Sequence, residues 1–261
     1  MYYYRVTIAY KGSNYFGWQA QSTATQAEEK PTIEGRIRNA LSKITNYQPC
    51  TISAASRTDA GVHAQGQLAK LSLSLELDAE RLLLGLNAAL PDDIRILTCQ
   101  PATKSYQPNR SSISKEYHYY FTAAAVDNVA TADIAQHLPM ISGEPEEIQL
   151  LRDACQLFVG RHDFYNFCQR DKSLSSYVRE IFYCDILPAN LSPLANDVYY
   201  LKIVGDGFLK FMIRYLVGTL IALAKGKISL DDIVGHLSRH HESKLSGKAK
   251  AKGLHLIAIK E

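Results

Sequence analysis

The chain lacks the usual signs of covalent staples, metals and nucleotide cofactors. Its five cysteines, Cys50, Cys99, Cys155, Cys168 and Cys184, are odd in number and widely spaced, with no Cys-x-x-Cys and no histidine at zinc spacing. That pattern implies scattered core thiols in a reducing compartment rather than a disulfide or metal framework. No glycine-rich loop of the Walker or dinucleotide type is present, so no nucleotide cofactor is indicated. Nor is there a basic-then-apolar leader: Met1-Tyr2-Tyr3-Tyr4-Arg5 runs straight into a strand pattern, and a cytoplasmic location is expected. The longest apolar run, Phe208 to Ala224, is interrupted by Lys210 and Arg214, and reads as a buried helix rather than a membrane span. A formal net charge of +3 is too mild to demand a polyanionic partner by itself.

What is present is enough apolar material for a sizeable core, with 46% hydrophobic residues in 261, and length for one large domain or two ordinary ones. Tyr4, Val6, Ile8 and Tyr10 alternate in a first strand over Tyr2 to Tyr10. Thr32 can cap a helix whose stripe is Ile33, Ile37, Leu41 and Ile44. Cys50 to Ala55 and Ala69 to Leu75 read as strands, Asp78 caps a helix stopped by Pro91, and Ile94 to Thr98 closes the set. The order β-α-β-β-α-β is the split arrangement of ferredoxin-like domains. It recurs: Lys115 to Thr122, a helix through Ile148, Leu151, Cys155 and Phe158, strands at Tyr177 to Leu187 and Val198 to Val204, and the helix from Phe208. Ser229 with Asp232 resembles a capping box for an extra helix, and Leu254 to Ile259 is a final strand. The expected class is therefore α+β, with two ferredoxin-like subdomains over residues 1–104 and 105–261 and antiparallel sheets. Sixteen tyrosines suit an open sheet on which unpaired RNA bases stack, although most strand tyrosines are ordinary half-buried residues.

Chemistry-bearing residues crowd at Ser56 to Ala64, Ser-Arg-Thr-Asp-Ala-Gly-Val-His-Ala, between two strand-like runs. It reads either as a polar turn in which Gly61 supplies positive φ, or as a rigidly presented site. Asp59 is the candidate nucleophile or general base, and a partner must keep it ionised. Arg214, within the apolar run, is one candidate for a bidentate pair; it could equally face outward or pair with another acid. Arg57 could probe substrate from the same turn. His63 is either a general base or a histidine buried against the strand. His236 and His240 lie four apart, but no third metal ligand is evident. Lys244, Lys248, Lys250 and Lys252 form either a solvated loop or a phosphate track.

The string Arg57-Thr58-Asp59-Ala60-Gly61-Val62-His63-Ala64 followed by Gly66-Gln67 resembles the signature of the tRNA pseudouridine synthase A family. Further matching pieces follow in family order. They are Gly17-Trp18-Gln19, Thr32-Ile33-Glu34-Gly35, Leu86-Asn87-Ala88-Ala89-Leu90-Pro91, Lys115-Glu116-Tyr117-His118-Tyr119, His162-Asp163-Phe164, Met212-Ile213-Arg214 and Ala249-Lys250-Ala251-Lys252-Gly253-Leu254. The resemblance implies a homodimeric isomerase, with a cleft between the subdomains, that converts uridine to pseudouridine at positions 38 to 40 of the tRNA anticodon stem-loop. It needs neither cofactor nor metal. By the same resemblance Asp59 is catalytic, Arg214 pairs with it, Arg57 assists base extrusion and Tyr117 packs on the base. Thr58, His63, Lys250 and Lys252 complete the expected substrate-binding set. The rival of another class is a non-catalytic RNA-binding protein of the same fold. The chain departs from the family pattern at Tyr106 to Arg110, at Lys210-Phe211, where Tyr-Asn is usual, and in an extended stretch from Ser22 to Lys30.

Overall fold

The computed structural model describes residues 1–19, 31–191 and 197–261. The extension expected over Ser22 to Lys30, and residues 192–196 of the loop before the Val198 strand, lie outside the described residues. Among the described residues the strands are β1 (Tyr2–Tyr10), β2 (Cys50–Ala54), β3 (His63–Leu73), β4 (Ile94–Ala102), β5 (Ser114–Thr122), β6 (Gln136–His137), β7 (Gly160–Asp163), β8 (Val178–Pro188), β9 (Val198–Gly205) and β10 (Leu254–Lys260). The helices are α1 (Ile33–Ile44), α2 (Ala79–Ala89), α3 (Pro108–Ser111), α4 (Pro145–Leu157), α5 (Met212–Ala224) and α6 (Leu230–Ser238). The protein is thus of mixed α+β class. None of these helices is long and apolar enough to cross a membrane.

The chain divides into two compact units. The first is Met1–Ile113 with His255–Glu261, and the second is Ser114–Leu254. In the first unit β4, β1, β3 and β2 are neighbours in that order and all three pairings are antiparallel. Tyr4, Val6, Ile8 and Tyr10 point to the buried face of β1, as their alternation requires. Ile37 and Leu41 of α1 and Leu82 and Leu86 of α2 are buried with them. Both helices start where a side-chain oxygen meets an orphan amide: Thr32 accepts from Gly35 N, and Asp78 from Arg81 N. The last strand, which the sequence pattern grouped with the second half, belongs from His255 onward to the first unit. Here β10 runs parallel to the start of β3, with His255 opposite His63 and Leu256 opposite Ala64.

The second unit orders its strands β5, β9, β8, β7, again antiparallel, with the short β6 beside β5. Tyr119 and Phe121 of β5 and Ile186 and Leu201 of its neighbours bury one face together with Leu151 of α4 and Val217 and Leu220 of α5. The alternate residues His118 and Tyr120 are half-exposed, and their rings cluster with Tyr200, while Glu116 bonds both His118 and Lys202. Ser229 and Asp232 form the expected capping box of α6. The helix expected from Phe208 starts four residues later, at Met212, because Phe211 sits in the left-handed region with φ of 62°. A bulky residue there cannot be a helical position.

Gly66 exposes how closely β3 and β10 approach. A Cβ at this position would lie 2.3 Å from the carbonyl oxygen of Ile257. Gly66→Ala is expected to destabilise the fold by about 1–3 kcal/mol through this overlap. Urea unfolding checks it, and an unchanged midpoint would remove the close-approach argument.

Candidate active site

The loop between β2 and β3 begins where their ladder ends. After Ala54 pairs with Ala69, Ala55 N donates to Leu68 O at 2.8 Å, and the backbone then leaves the sheet. Gln67, fully buried in β3, takes over from the missing strand partner. Its Nε2 donates to Ser56 O at 2.6 Å, and its Oε1 accepts from Ser56 N at 3.2 Å. Beyond that anchor the side chains alternate. Arg57 is exposed, Thr58 is buried and Asp59 is half-exposed. The hydroxyl of Thr58 shares a 2.7 Å hydrogen bond with that of Tyr10, which also accepts from Gln67 Nε2 at 3.4 Å. Asp59 to Val62 close a turn, Val62 N donating to Asp59 O, with Gly61 at φ of 77°.

A second segment braces the loop from the other side. Trp18 N donates to Thr58 O at 3.0 Å, and Gly61 N donates to Tyr15 O at 3.2 Å. Gly12 N donates to Nδ1 of His63 at 3.2 Å. Gly17 has φ of 88°, and a Cβ there would stand 2.7 Å from Thr58 O. The same segment reaches α1, since Ile33 N donates to Gly17 O and Glu34 N to Trp18 O. Gly17-Trp18, the Thr32-to-Gly35 cap and the Arg57-to-Gln67 string, distant in sequence, are therefore one hydrogen-bonded body.

The other expected site residues divide between the underside of the loop and the second unit. His63 is 3% exposed and lies under the loop, stacked on His255 with ring centroids 4.4 Å apart. Thr58, at 7%, serves the loop's underside. In the second unit Tyr117 and Tyr119 become distinguishable. Both are buried, Tyr119 at 0% and Tyr117 at 6%; the hydroxyl of Tyr119 donates to Lys250 O at 2.8 Å, whereas the Tyr117 ring stands edge-on to Phe208, centroids 5.4 Å apart. Arg214 is not in the middle of an apolar helix but in the first turn of α5, half-buried. Its Nε donates to Ala249 O at 2.8 Å, and Ala249 N returns a bond to Arg214 O. The lysine run divides by use: Lys252 donates to Ala132 O and Lys244 to the carbonyl of Cys168, while Lys248 and Lys250 are exposed. His240 lies beyond α6, bonded to Asp163, and His236 stacks on His241 instead.

Thiol chemistry finds no support among the buried cysteines. Burial pushes Cys168 up to about 11, and the hydrogen bond with Cys184 together with burial raises Cys155 well above the usual thiol range. Neither is a thiolate at neutral pH. Among the described residues no three His, Cys, Asp or Glu side chains are grouped to hold a metal ion. The loop presents the half-exposed Asp59 on a hydrogen-bonded turn, two residues after the exposed Arg57. Tyr10 and Gly12 were missed as contributors by sequence reasoning, and Gln67 stood out only as part of the family string, because each acts through its fold position and none carries reactive chemistry of its own.

Comparison with known proteins gives concordant matches. A family model described as tRNA pseudouridine synthase matches residues 6–107 and 154–260, ranges that hold Asp59 and Arg214 but not Tyr117. The curated tRNA pseudouridine synthase A 2 of Desulfotalea psychrophila (strain LSv54 / DSM 12343) is 66% identical over 259 residues, covering 99% of this chain and 98% of its own. The tRNA pseudouridine synthase A 1 of Protochlamydia amoebophila (strain UWE25) is 34% identical over 262 residues, covering 99% and 96%. A chain of a Cbf5-Nop10-Gar1 complex crystal structure aligns with 83% of this chain and 53% of its own, at 13% identity and a TM-score of 0.33.

The brace at Gly17 can be tested directly. Gly17→Ala meets both a left-handed backbone and the Thr58 carbonyl, and should cost roughly 1–3 kcal/mol. Amide exchange at Trp18 and Gly61 should accelerate with it. Native protection at both amides in the variant would show that the segment does not hold the loop.

Proposed function

The chain belongs to the tRNA pseudouridine synthase family, and from that premise we propose that Asp59 is its catalytic carboxylate, acting on uridines 38 to 40 of the anticodon stem-loop. Enzymes of this family isomerise uridine to pseudouridine in tRNA, and this protein is such an isomerase. The observation carrying the assignment is the presentation of Asp59, half-exposed on a turn whose flanking residues are tied from beneath. Isomerisation breaks the bond from N1 to C1′, turns the uracil and joins C5 to C1′. It adds no atom and transfers no net electron. One ionised carboxylate can drive it by attacking C6, by attacking C1′, or by removing the C2′ proton on the way to a glycal.

The remaining roles follow from the chemistry and the resemblance. The uridine must leave its stack, at a cost of a few kcal/mol that is smaller in a loop than in a duplex. Arg57, exposed two residues before Asp59, fills the vacated space. Tyr117 holds the extruded ring, and Arg214 pairs with Asp59 and keeps it charged. Lys250 contacts phosphate, whereas the bond from Lys252 to Ala132 O supports a positioning role for that lysine. The working form is a cytoplasmic homodimer, and sedimentation at the 29.1 kDa mass of one chain would remove the dimer.

Asp59→Asn should lower kcat on unmodified tRNA by on the order of 10³-fold or more, with tRNA binding retained. Pseudouridine mapping at positions 38 to 40 checks both site and residue, and normal turnover by the variant would end the assignment. Arg214→Met should move the acid limb of the rate profile to higher pH. Losing the cation raises the carboxyl pKa, so the active ionised form disappears sooner as pH falls. An unmoved limb would exclude the pair. Tyr10→Phe, which deletes the hydroxyl beneath Thr58, should reduce kcat by about 10- to 100-fold at nearly constant KM, the scale set by small misplacement of a reacting group. A rise in KM alone would place Thr58 against RNA instead.

A further inference from the structure

The second unit holds a cluster of three cations, of which the chemistry above uses only Arg214. Phe211 precedes α5 in a left-handed conformation, φ 62°, that is strained for so large a residue. Its ring is the common neighbour of three cationic groups. Lys248 Nζ lies 3.8 Å from the ring centroid, Lys210 Nζ 5.3 Å and the Arg214 guanidinium carbon 5.3 Å. The Ala249 bonds to Arg214 fix the segment that carries Lys248 against the first turn of α5.

Charges of like sign gathered around one ring repel each other, and the ring's negative face offsets only part of that repulsion. Among the described residues neither Lys210 nor Lys248 forms a hydrogen bond or ion pair with a carboxylate. The acid that Lys210 influences is Asp171, whose carboxylate already accepts from Ser173 N at 2.9 Å and Ser173 Oγ at 2.7 Å. Both lysines are exposed, unlike Lys244 and Lys252, whose ammonium groups are occupied by backbone carbonyls. An anion placed between the two lysines would relieve the repulsion and meet two strongly hydrated donors.

We propose that Lys210 and Lys248, gathered beside the Phe211 ring, form a clamp for the tRNA sugar-phosphate backbone. The ligand class is RNA phosphate because the substrate is tRNA. The proposal needs that substrate and does not depend on the role assigned to Asp59.

Equilibrium binding of unmodified tRNA tests it, measured between about 0.05 and 0.3 M monovalent salt on the full-length protein. Each phosphate contact contributes a slope of about 0.7–0.9 in log K against log salt. The double variant Lys210→Ala/Lys248→Ala should therefore lose about 1–2 from the slope and bind roughly 10-fold more weakly near 0.15 M salt. Its kcat at saturating tRNA should match wild type. Lys225→Ala/Lys227→Ala removes the same charge beyond the other end of α5 and should leave the slope unchanged. Phe211→Leu keeps both lysines and removes the ring, and should weaken binding with a smaller loss of slope. The proposal is overturned by a wild-type slope in the Lys210/Lys248 variant, by an equal loss in the Lys225/Lys227 control, or by a fall in kcat with binding intact. Binding by Phe211→Leu equal to wild type would overturn the part assigned to the ring.

Discussion

A carboxylate that must reach substrate from a turn needs a backbone that cannot move, yet a turn has no ladder to satisfy its amides and carbonyls. Buried peptide groups left unpaired cost about 1–3 kcal/mol each, so the loop from Ser56 to Val62 is stable only if other parts of the chain meet them. They are met from two directions. The Gln67 amide imitates a strand neighbour for Ser56, and the segment from Gly12 to Trp18 supplies donors and acceptors for Thr58, Gly61 and His63. Gly12 and Gly17 are glycines for the same reason, since a Cβ at Gly12 would stand 2.0 Å from Val62 O and one at Gly17 2.7 Å from Thr58 O. The polar underside of the loop thus accounts for residues with no chemistry of their own.

A comparable economy governs the start of α5. Phe211 in the left-handed region ends the preceding turn and lets Met212 begin the helix, which puts Arg214 in the first turn instead of among apolar neighbours. A cation is poorly placed near a helix N-terminus, where the macrodipole is positive. The carbonyl of Ala249, which accepts the Nε–H hydrogen bond, and the face of the Phe211 ring, which attracts the guanidinium charge, offset this. Arg214 is therefore held in place by structure local to the second unit, and its orientation does not have to be created by substrate.

Much of this was legible in the sequence, and the limits have physical causes. Alternation found β1, β5 and the second half of β3, and capping residues found α1, α2 and α6, because each signal is local and written in side-chain type. The start of α5 was misplaced because backbone sterics at Phe211, not hydrophobic period, decided it. The last strand was grouped by order along the chain, whereas its parallel pairing with β3 is a long-range fact that no local pattern carries. Asp59 stood out by its company of polar residues and by family resemblance. His63 and Thr58 stood out by the same company, yet they sit on the inner side of the loop, because alternation along an irregular turn cannot be read from composition. The lysine run likewise overstated its charge available to a ligand, since ammonium groups that cap carbonyls look identical in sequence to those that face water.

The reaction itself explains why supports outnumber reactive groups. Uridine and pseudouridine have the same atoms and the same redox level, so the protein has no electrons to supply and no group to carry. On the role proposed for Asp59, what it must supply is a carboxylate kept ionised, a base kept out of its stack and a fixed approach between them. Fixed approach is worth several kcal/mol of a barrier only when it exists before substrate arrives. A loop that had to order itself on binding would spend RNA-binding energy on its own conformational entropy. With the order built into Tyr10, Gln67 and the two glycines, the proposed phosphate contacts can act on extracting the base instead of ordering the loop.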